Sequence, residues 1–395
     1  MRCFVVLVAI ALASVAPTSR AACPDFGPVA KYPGNGAYAV GLGDFDGDGI
    51  LDLAVANSEA ATVGIRSGNG DGTFAPAVDL AVGSFPDSVA VGDFNGDGQP
   101  DLAVANAGSD NISILTGNGD GTFAPAVPYG SVGQPRFVAA ADFNGDDALD
   151  LVVANWSPEG VSILLGNGNG TFQSAVAYAA DQLPFSIAVG DFDEDGQLDL
   201  AVANFGSGNV SILLGNGDGT FQTAVHYSTG TTSMSVASAD FDGDGDLDLA
   251  VANRDSLNVS ILLGNGNGTF QTAVNYSTSF LSPHGLAVGD LDGDGRLDLA
   301  VLGNTITVLQ GNGSGSFQAA GNIDYSPAGV PRSISTGDFN GDGRPDLVVT
   351  DSNFGPGHAS VLINLCGVTI PVSSRLGLLL FLLSIAVIGA VKVHA

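Results

Sequence analysis

The stretch VGDFNGDGQPDLAVAN, Val91 to Asn106, sets Asp93, Asn95, Asp97 and Asp101 on a turn composed otherwise largely of glycine. Two carboxylates about 4 Å apart repel by roughly 1 kcal/mol in water and by several times that near a protein surface, so such a turn costs stability unless a positive charge sits inside it. A hard cation is the natural partner. Calcium takes about six to eight oxygen ligands at about 2.3–2.6 Å. In a D-x-D-x-D-G-x-x-D loop the first, third, fifth and ninth side chains point inward, the sixth-position glycine allows the bend, and the seventh carbonyl, here that of Gln99, adds another oxygen. The competing reading is a turn whose Asp and Asn residues only hydrogen-bond their own backbone.

Repetition favours the metal. The acidic loop occurs seven times, with first aspartates Asp44, Asp93, Asp142, Asp191, Asp240, Asp290 and Asp338 spaced by 49, 49, 49, 49, 50 and 48 residues. So regular a period marks a repeat architecture. Each unit runs through an alternating segment such as SVAVGDF, the acidic loop, a run such as DLAVAN, another such as VSILLGNG, and then TFQTAVNY. These pieces are short, β-branched or aromatic, and bounded by Gly, Asn and Asp, so they read as strands joined by hairpins. Four antiparallel strands in each of seven units predict an all-β fold, a seven-bladed β-propeller closed radially so that few edges stay exposed.

Six units end in a GNGxG[TS]F turn, with phenylalanine at 74, 123, 172, 221, 270 and 317, whereas the seventh stops at SVLINLC. The segment DFGPVAKY, Asp25 to Tyr32, matches TFAPAVDL and puts Phe26 where the first unit has Phe74. The N-terminal strand is therefore expected to complete the last blade.

The repeats resemble the FG-GAP or VCBS-type repeats of bacterial surface proteins and of the integrin alpha-subunit head, over nearly all of Cys23 to Cys366. That resemblance implies a seven-bladed propeller with up to seven Ca2+ ions. Carried onto this sequence, it implies ligands at Asp44, Asp46, Asp48 and Asp52, and at Asp93, Asn95, Asp97 and Asp101. The third loop offers Asp142, Asn144, Asp146 and Asp150, with Asp147 in place of the bend glycine; the fourth offers Asp191, Asp193, Asp195 and Asp199, with Glu194 replacing another glycine. Asp240, Asp242, Asp244 and Asp248 follow, then Asp290, Asp292, Asp294 and Asp298, then Asp338, Asn340, Asp342 and Asp346. The seventh-position carbonyls belong to Ile50, Gln99, Ala148, Gln197, Asp246, Arg296 and Arg344.

Composition agrees with a large folded domain. The chain has 395 residues, 45% of them hydrophobic and only 13% charged, and a formal net charge of −30 that excludes nucleic acid as a partner. No G-x-S-x-G elbow or H-E-x-x-H helix occurs, and the histidines at 226, 284, 358 and 394 are scattered, so a non-enzymatic protein is expected. The GNGDGTF runs read as tight hairpins rather than second metal sites. Tyr129, Tyr178, Tyr227 and Tyr276 occupy equivalent strand positions and read as packing between blades, although with Trp156 they could line a sugar-binding surface.

Residues 1–22 have the layout of a secretory leader, and residues 23–367 form the propeller. Residues 368–395 contain an apolar run flanked by Arg375 and Lys392; TIPVSSRLGLLLFLLSIAVIGAVK resembles IPTL-CTERM-type sorting tails, which implies export and membrane contact. An exported mature chain keeps Cys23 and Cys366, placed to bridge the two ends of the closing blade. The alternative is a lipid-modified Cys23. Two functional readings remain: an exported, monomeric surface propeller that binds an extracellular protein or glycan, or a polysaccharide-active enzyme or carbohydrate-binding module on the same scaffold.

Overall fold

The run DLAVAN explains the architecture. In four units, Asp52–Asn57, Asp101–Asn106, Asp199–Asn204 and Asp248–Asn253, it forms the second strand of a blade and is buried at every residue. A strand covered on both faces needs apolar side chains on both, and a neighbouring blade covers each face here. In the computed structural model, which describes residues 19–20, 23–130, 133–278, 282–327, 329–353, 355–366 and 369–370, seven four-stranded antiparallel sheets follow one another around a ring. No helix occurs among the described residues. The residues of the expected leader, apart from Ser19 and Arg20, and the apolar tail lie outside them; Ser19–Arg20 pairs with Thr369–Ile370.

In each blade the innermost strand, such as Pro86–Gly92, leads into the acidic loop, and the second strand follows. The third strand, such as Asn111–Leu115, is joined to the outermost by the glycine-rich hairpin, where Gly117 bridges Phe123. Acidic loops and hairpins therefore share one face of the ring. Turns between second and third strands, and links between blades, share the other.

The ring closes as the sequence predicts. Ala30–Asn35 pairs antiparallel with Gly355–Leu362 and supplies the outermost strand of the seventh blade, and Phe26 bridges Asn364 as Phe74 bridges Gly68. The regular strand is displaced from the expected Asp25 to Tyr32, because pairing with Pro356 and Gly357 extends it to Asn35.

Neighbouring blades are zipped together at the loop face. The second residue of each acidic loop is fully buried: Phe45, Phe94, Phe143, Phe192, Phe241, Leu291 or Phe339. Five of these phenylalanines meet the hairpin phenylalanine of the next blade edge to face, from Phe45–Phe123 at 5.5 Å to Phe241–Phe317 at 5.4 Å, and Phe339 meets Phe74 of the first blade. Such pairs contribute about 0.5–1.5 kcal/mol beyond their burial. Tyr129, Tyr178, Tyr227 and Tyr276 stack on the same hairpin rings, so they are packing residues. Each hairpin also donates a glycine N–H to the loop, as Gly121 does to the Phe45 carbonyl at 2.8 Å.

The sixth loop has no seventh hairpin to receive. There the Asn364 side-chain amide donates to the Leu291 carbonyl at 3.0 Å, and the Cys23–Cys366 disulfide fastens the seam, with Cα atoms 5.1 Å apart. The bond spans 343 residues. Closing so long a loop is worth up to about 5 kcal/mol in the chain-entropy model. Cys366→Ser should lower the melting temperature and increase amide exchange selectively in Ala30–Asn35. Exchange there equal to that of the unmodified protein would show that the bond does not hold the seam.

Candidate metal loops

Each acidic loop is organised by its first and ninth aspartates. Asp44 Oδ1 accepts the N–H groups of Gly47 and Asp48 at 2.8 and 3.1 Å, and its Oδ2 accepts that of Gly49 at 2.9 Å. The fifth-position Asp48 accepts the N–H of Ile50 at 2.8 Å. Gln99, Ala148, Gln197, Asp246, Arg296 and Arg344 donate to their fifth-position aspartates in the same way. The glycines turn left-handed to permit this, with φ of 75° at Gly47 and 85° at Gly49.

The ninth aspartate ties the loop to its blade. Asp248 Oδ2 accepts the Phe241 N–H at 2.8 Å and its Oδ1 accepts the Gly264 N–H at 2.7 Å, joining loop, second strand and hairpin. Asp52, Asp101, Asp150, Asp199, Asp298 and Asp346 make the equivalent pair of bonds, and all seven are buried. Burial pushes the carboxyls of Asp199, Asp248, Asp298 and Asp346 up to about 6, against the opposing effect of those two amides, and the loop's other carboxylates add to the rise. Asp52, Asp101 and Asp150 are raised for the same reasons.

A carboxyl with a raised pKa binds protons more strongly in the folded chain than in the unfolded one. Stability from these groups is therefore present below their ordinary value of 3.8 and is lost as pH rises through about 6. Metal-stripped protein should melt at a lower temperature at pH 7 than at pH 5, and calcium should abolish the difference. A stripped protein that gains stability over that interval would contradict this placement of charge.

Oxygens from three acids converge within 4.8 Å in four loops: Asp44, Asp46 and Asp48; Asp191, Asp193 and Asp199; Asp240, Asp242 and Asp248; and Asp290, Asp292 and Asp294. These clusters could hold a metal ion. The remaining loops carry Asn95, Asn144 or Asn340 at the third position and so present fewer acids. The donors are all hard oxygens, which suit calcium, magnesium or manganese rather than softer metals. In the fourth loop Asp191 Oδ1 is buried without a hydrogen-bond partner, an acceptor left free on a member of the acid group. In the sixth and seventh loops Arg296 and Arg344 reach back to Asp294 and Asp342 at 3.4 and 3.2 Å, so a side-chain cation offsets part of the repulsion.

Two loops break the glycine pattern, and the backbone does not yield. Asp147 stands where the other loops have glycine and is held at φ 67°, while Glu194 is held at φ 58°. A left-handed residue with a Cβ costs roughly 1–2 kcal/mol, less for Asp and Asn. At the matching glycines Gly49, Gly98 and Gly245 a Cβ would meet nothing within 4 Å, so φ alone carries the strain. Asp147→Gly should therefore raise stability by up to about 1 kcal/mol and bind calcium at least as tightly. Markedly weaker calcium binding by that variant would overturn the assignment of the bend.

The glycine-rich hairpins use their acids internally: Asp71 Oδ1 accepts both the N–H and the hydroxyl of Thr73, at 3.0 and 2.5 Å. They are turns, as their Asn-Gly and Asp-Gly content predicts.

The FG-GAP-like repeat matches residues 44–104, 93–153, 142–202, 191–251, 240–301 and 302–349. The chain belongs to the FG-GAP-like repeat family. No curated protein matches its sequence. Among solved structures, this FG-GAP-like protein is similar to an Agrocybe aegerita lectin that recognises non-reducing terminal N-acetylglucosamine, at 21% identity and a TM-score of 0.55, covering 84% of this chain and 86% of the other. It is also similar to a periplasmic gluconolactonase of Pseudomonas aeruginosa, at 14% identity and a TM-score of 0.57, covering 73% and 85%. At those identities the likeness is one of fold.

One set of residues escaped the sequence reading. At the mouth of the central channel opposite the acidic loops, Tyr38, Asp87, Arg136, Phe185, Met234, His284 and Arg332 occupy the same place in successive blades, at or beside the bulge of the innermost strand. The signal was present as a column of the repeat, six residues before each first aspartate, in which seven units carry six different residue types.

Proposed function

We propose that the protein is an exported, non-enzymatic binding propeller whose seven loops take calcium, and that its unlike residues on the opposite face contact an extracellular protein or glycan. The observation that carries this reading is the division of labour between the faces. The loop face repeats one oxygen-rich design seven times, whereas variation in residue type gathers at the other mouth. Asp, Asn and a carbonyl in a nine-residue loop suit calcium's demand for many oxygens at relaxed geometry better than magnesium's strict octahedron. The ligands proposed are the first, third, fifth and ninth side chains with the seventh carbonyl of each loop. Seven divalent ions would cancel about half of the formal charge of −30.

A disulfide at the seam fits an oxidising compartment, which supports export. Attachment through the C-terminal apolar segment and a monomeric state complete the proposal. The second reading, a carbohydrate-active enzyme or sugar-binding module, draws support from the exposed aromatic Phe85 and from the cluster of Trp156, Phe185 and Phe205 on the variable face, with ring centroids 5.7–6.1 Å apart.

Screening the calcium-loaded propeller against glycan and matrix-protein arrays, with a chelated control, tests the proposal. Calcium-dependent capture of a defined ligand without turnover is expected. Chemical conversion of a captured glycan would establish the enzyme reading instead, and no capture on either array would overturn the binding role.

A further inference from the structure

We infer that the variable mouth is a pocket for a carboxylate-bearing sugar unit, gripped by Arg332 and Arg136. This rests on the binding role proposed above and assigns it a place and a ligand chemistry.

Charge is the first argument. In a chain of 41 acids and 11 lysines and arginines, two of the seven equivalent mouth positions are arginine. Asp87 is the single acid among those seven and is buried at 5% exposure; its Oδ2 lies 2.5 Å from Arg136 Nη1. Among these positions one carboxylate faces two guanidinium groups, and Glu59 lines an adjoining hollow with Arg332. Arg332 is the less neutralised of the two: its Nε donates to the Ser352 hydroxyl at 2.6 Å and its guanidinium lies 4.6 Å from the Tyr38 ring centroid, with no acid in ion-pair contact among the described residues. Arg254, another arginine on this face, is paired with Asp255.

Preorganisation is the second. Arg136 is clamped between Asp87 and the face of Trp156, whose ring centroid lies 3.9 Å from its guanidinium carbon. Its Nε is nonetheless buried without a hydrogen-bond acceptor. A buried donor left unmade is costly, and a ligand oxygen or water would relieve it. Both guanidinium groups are thus fixed before a ligand arrives, which lowers the ordering cost of binding. Arginine's planar fork matches a carboxylate by two parallel hydrogen bonds.

Shape and lining are the third. Arg136 and Arg332 face a cavity of about 400 Å³ that Tyr38, Ser58, Phe85, Gln134 and the Arg136-paired Asp87 also line. Its size is within the range of small-ligand sites, about 300–1,000 Å³. Phe85 at the rim is 58% exposed and held at a left-handed φ of 51°, an aromatic face presented to solvent at the edge of a charged pocket. An apolar ring face beside hydroxyl, amide and guanidinium groups suits a pyranose with a carboxylate better than a bare anion. Glu59 borders an adjoining hollow that also includes Arg332 and would exclude ligands with a second acid on that side.

The test uses the calcium-loaded protein with D-glucuronate and D-glucose as probes, followed by protein-observed titration at low and moderate salt. Glucuronate should bind and glucose should not, with affinity falling as salt rises. Arg332→Gln should weaken glucuronate binding about tenfold or more, the effect of losing one charge-assisted pair. Arg332→Lys should recover only part of it, and Phe85→Ala, at an exposed site, should weaken binding while leaving the melting temperature unchanged. Equal binding of glucose, indifference to Arg332→Gln in a variant that melts normally, or binding of an acidic peptide in place of glucuronate would each overturn the inference. If glucuronate fails while the arrays return another ligand, this pocket is wrong and the binding role stands; if both fail, the binding role falls with it.

Discussion

In excess chelator the calcium-loaded protein should lose on the order of 10 °C of its melting temperature, because an ion that binds only the folded chain stabilises it by mass action. A site held at about a hundred times its dissociation constant contributes about 2.7 kcal/mol, so a few saturated loops suffice. The structure says where the loss is felt. Each loop carbonyl at the second position accepts a bond from a neighbouring hairpin or, at the seam, from Asn364, so repulsion released in one loop loosens two blades together. Differential scanning calorimetry with and without chelator measures it, and superimposable curves would mean that no loop holds calcium in the starting protein.

The largest single-residue effect is expected at a ninth-position aspartate. Asp248→Ala removes the acceptor for two amides, those of Phe241 and Gly264, at a fully buried point. Each unmade buried donor costs about 1–3 kcal/mol, so the variant should lose about 2–6 kcal/mol even without metal. Asp244→Ala makes the contrast. Asp244 is exposed, and its Oδ1 accepts only the Asp246 N–H at 2.9 Å, so in stripped protein the change should cost under about 1 kcal/mol, while in calcium it removes one ligand and loosens the blade around its loop. Denaturant unfolding of both variants, stripped and loaded, separates the two roles. Equal costs in the stripped protein would show that the ninth aspartate is only a ligand.

The repeat, the blade count and the closing strand were legible because each rests on residue types recurring at fixed spacing. Phe26 announced the closing strand by standing where six hairpin phenylalanines stand, and Cys23 and Cys366 follow from that closure. The dual role of the ninth aspartate was hidden, because its second partner, such as Gly264 for Asp248, lies 16 residues away and joins it only when the hairpin folds back. Asp147 and Glu194 were visible as missing glycines, but only the backbone shows that both adopt glycine's φ instead of reshaping the loop. The variable mouth was least legible. Tyr38, Asp87, Arg136 and Arg332 are single residues in four different repeats, and each alone looks like an ordinary strand end; the ring brings them together.

Calcium titration of the metal-stripped protein by isothermal calorimetry tests the central claim most directly. The loops predict saturable binding of several ions per chain, up to seven, with the Asp244→Ala variant short of or weaker at one site. Heat no greater than buffer dilution up to millimolar calcium, from protein that remains folded, would contradict it.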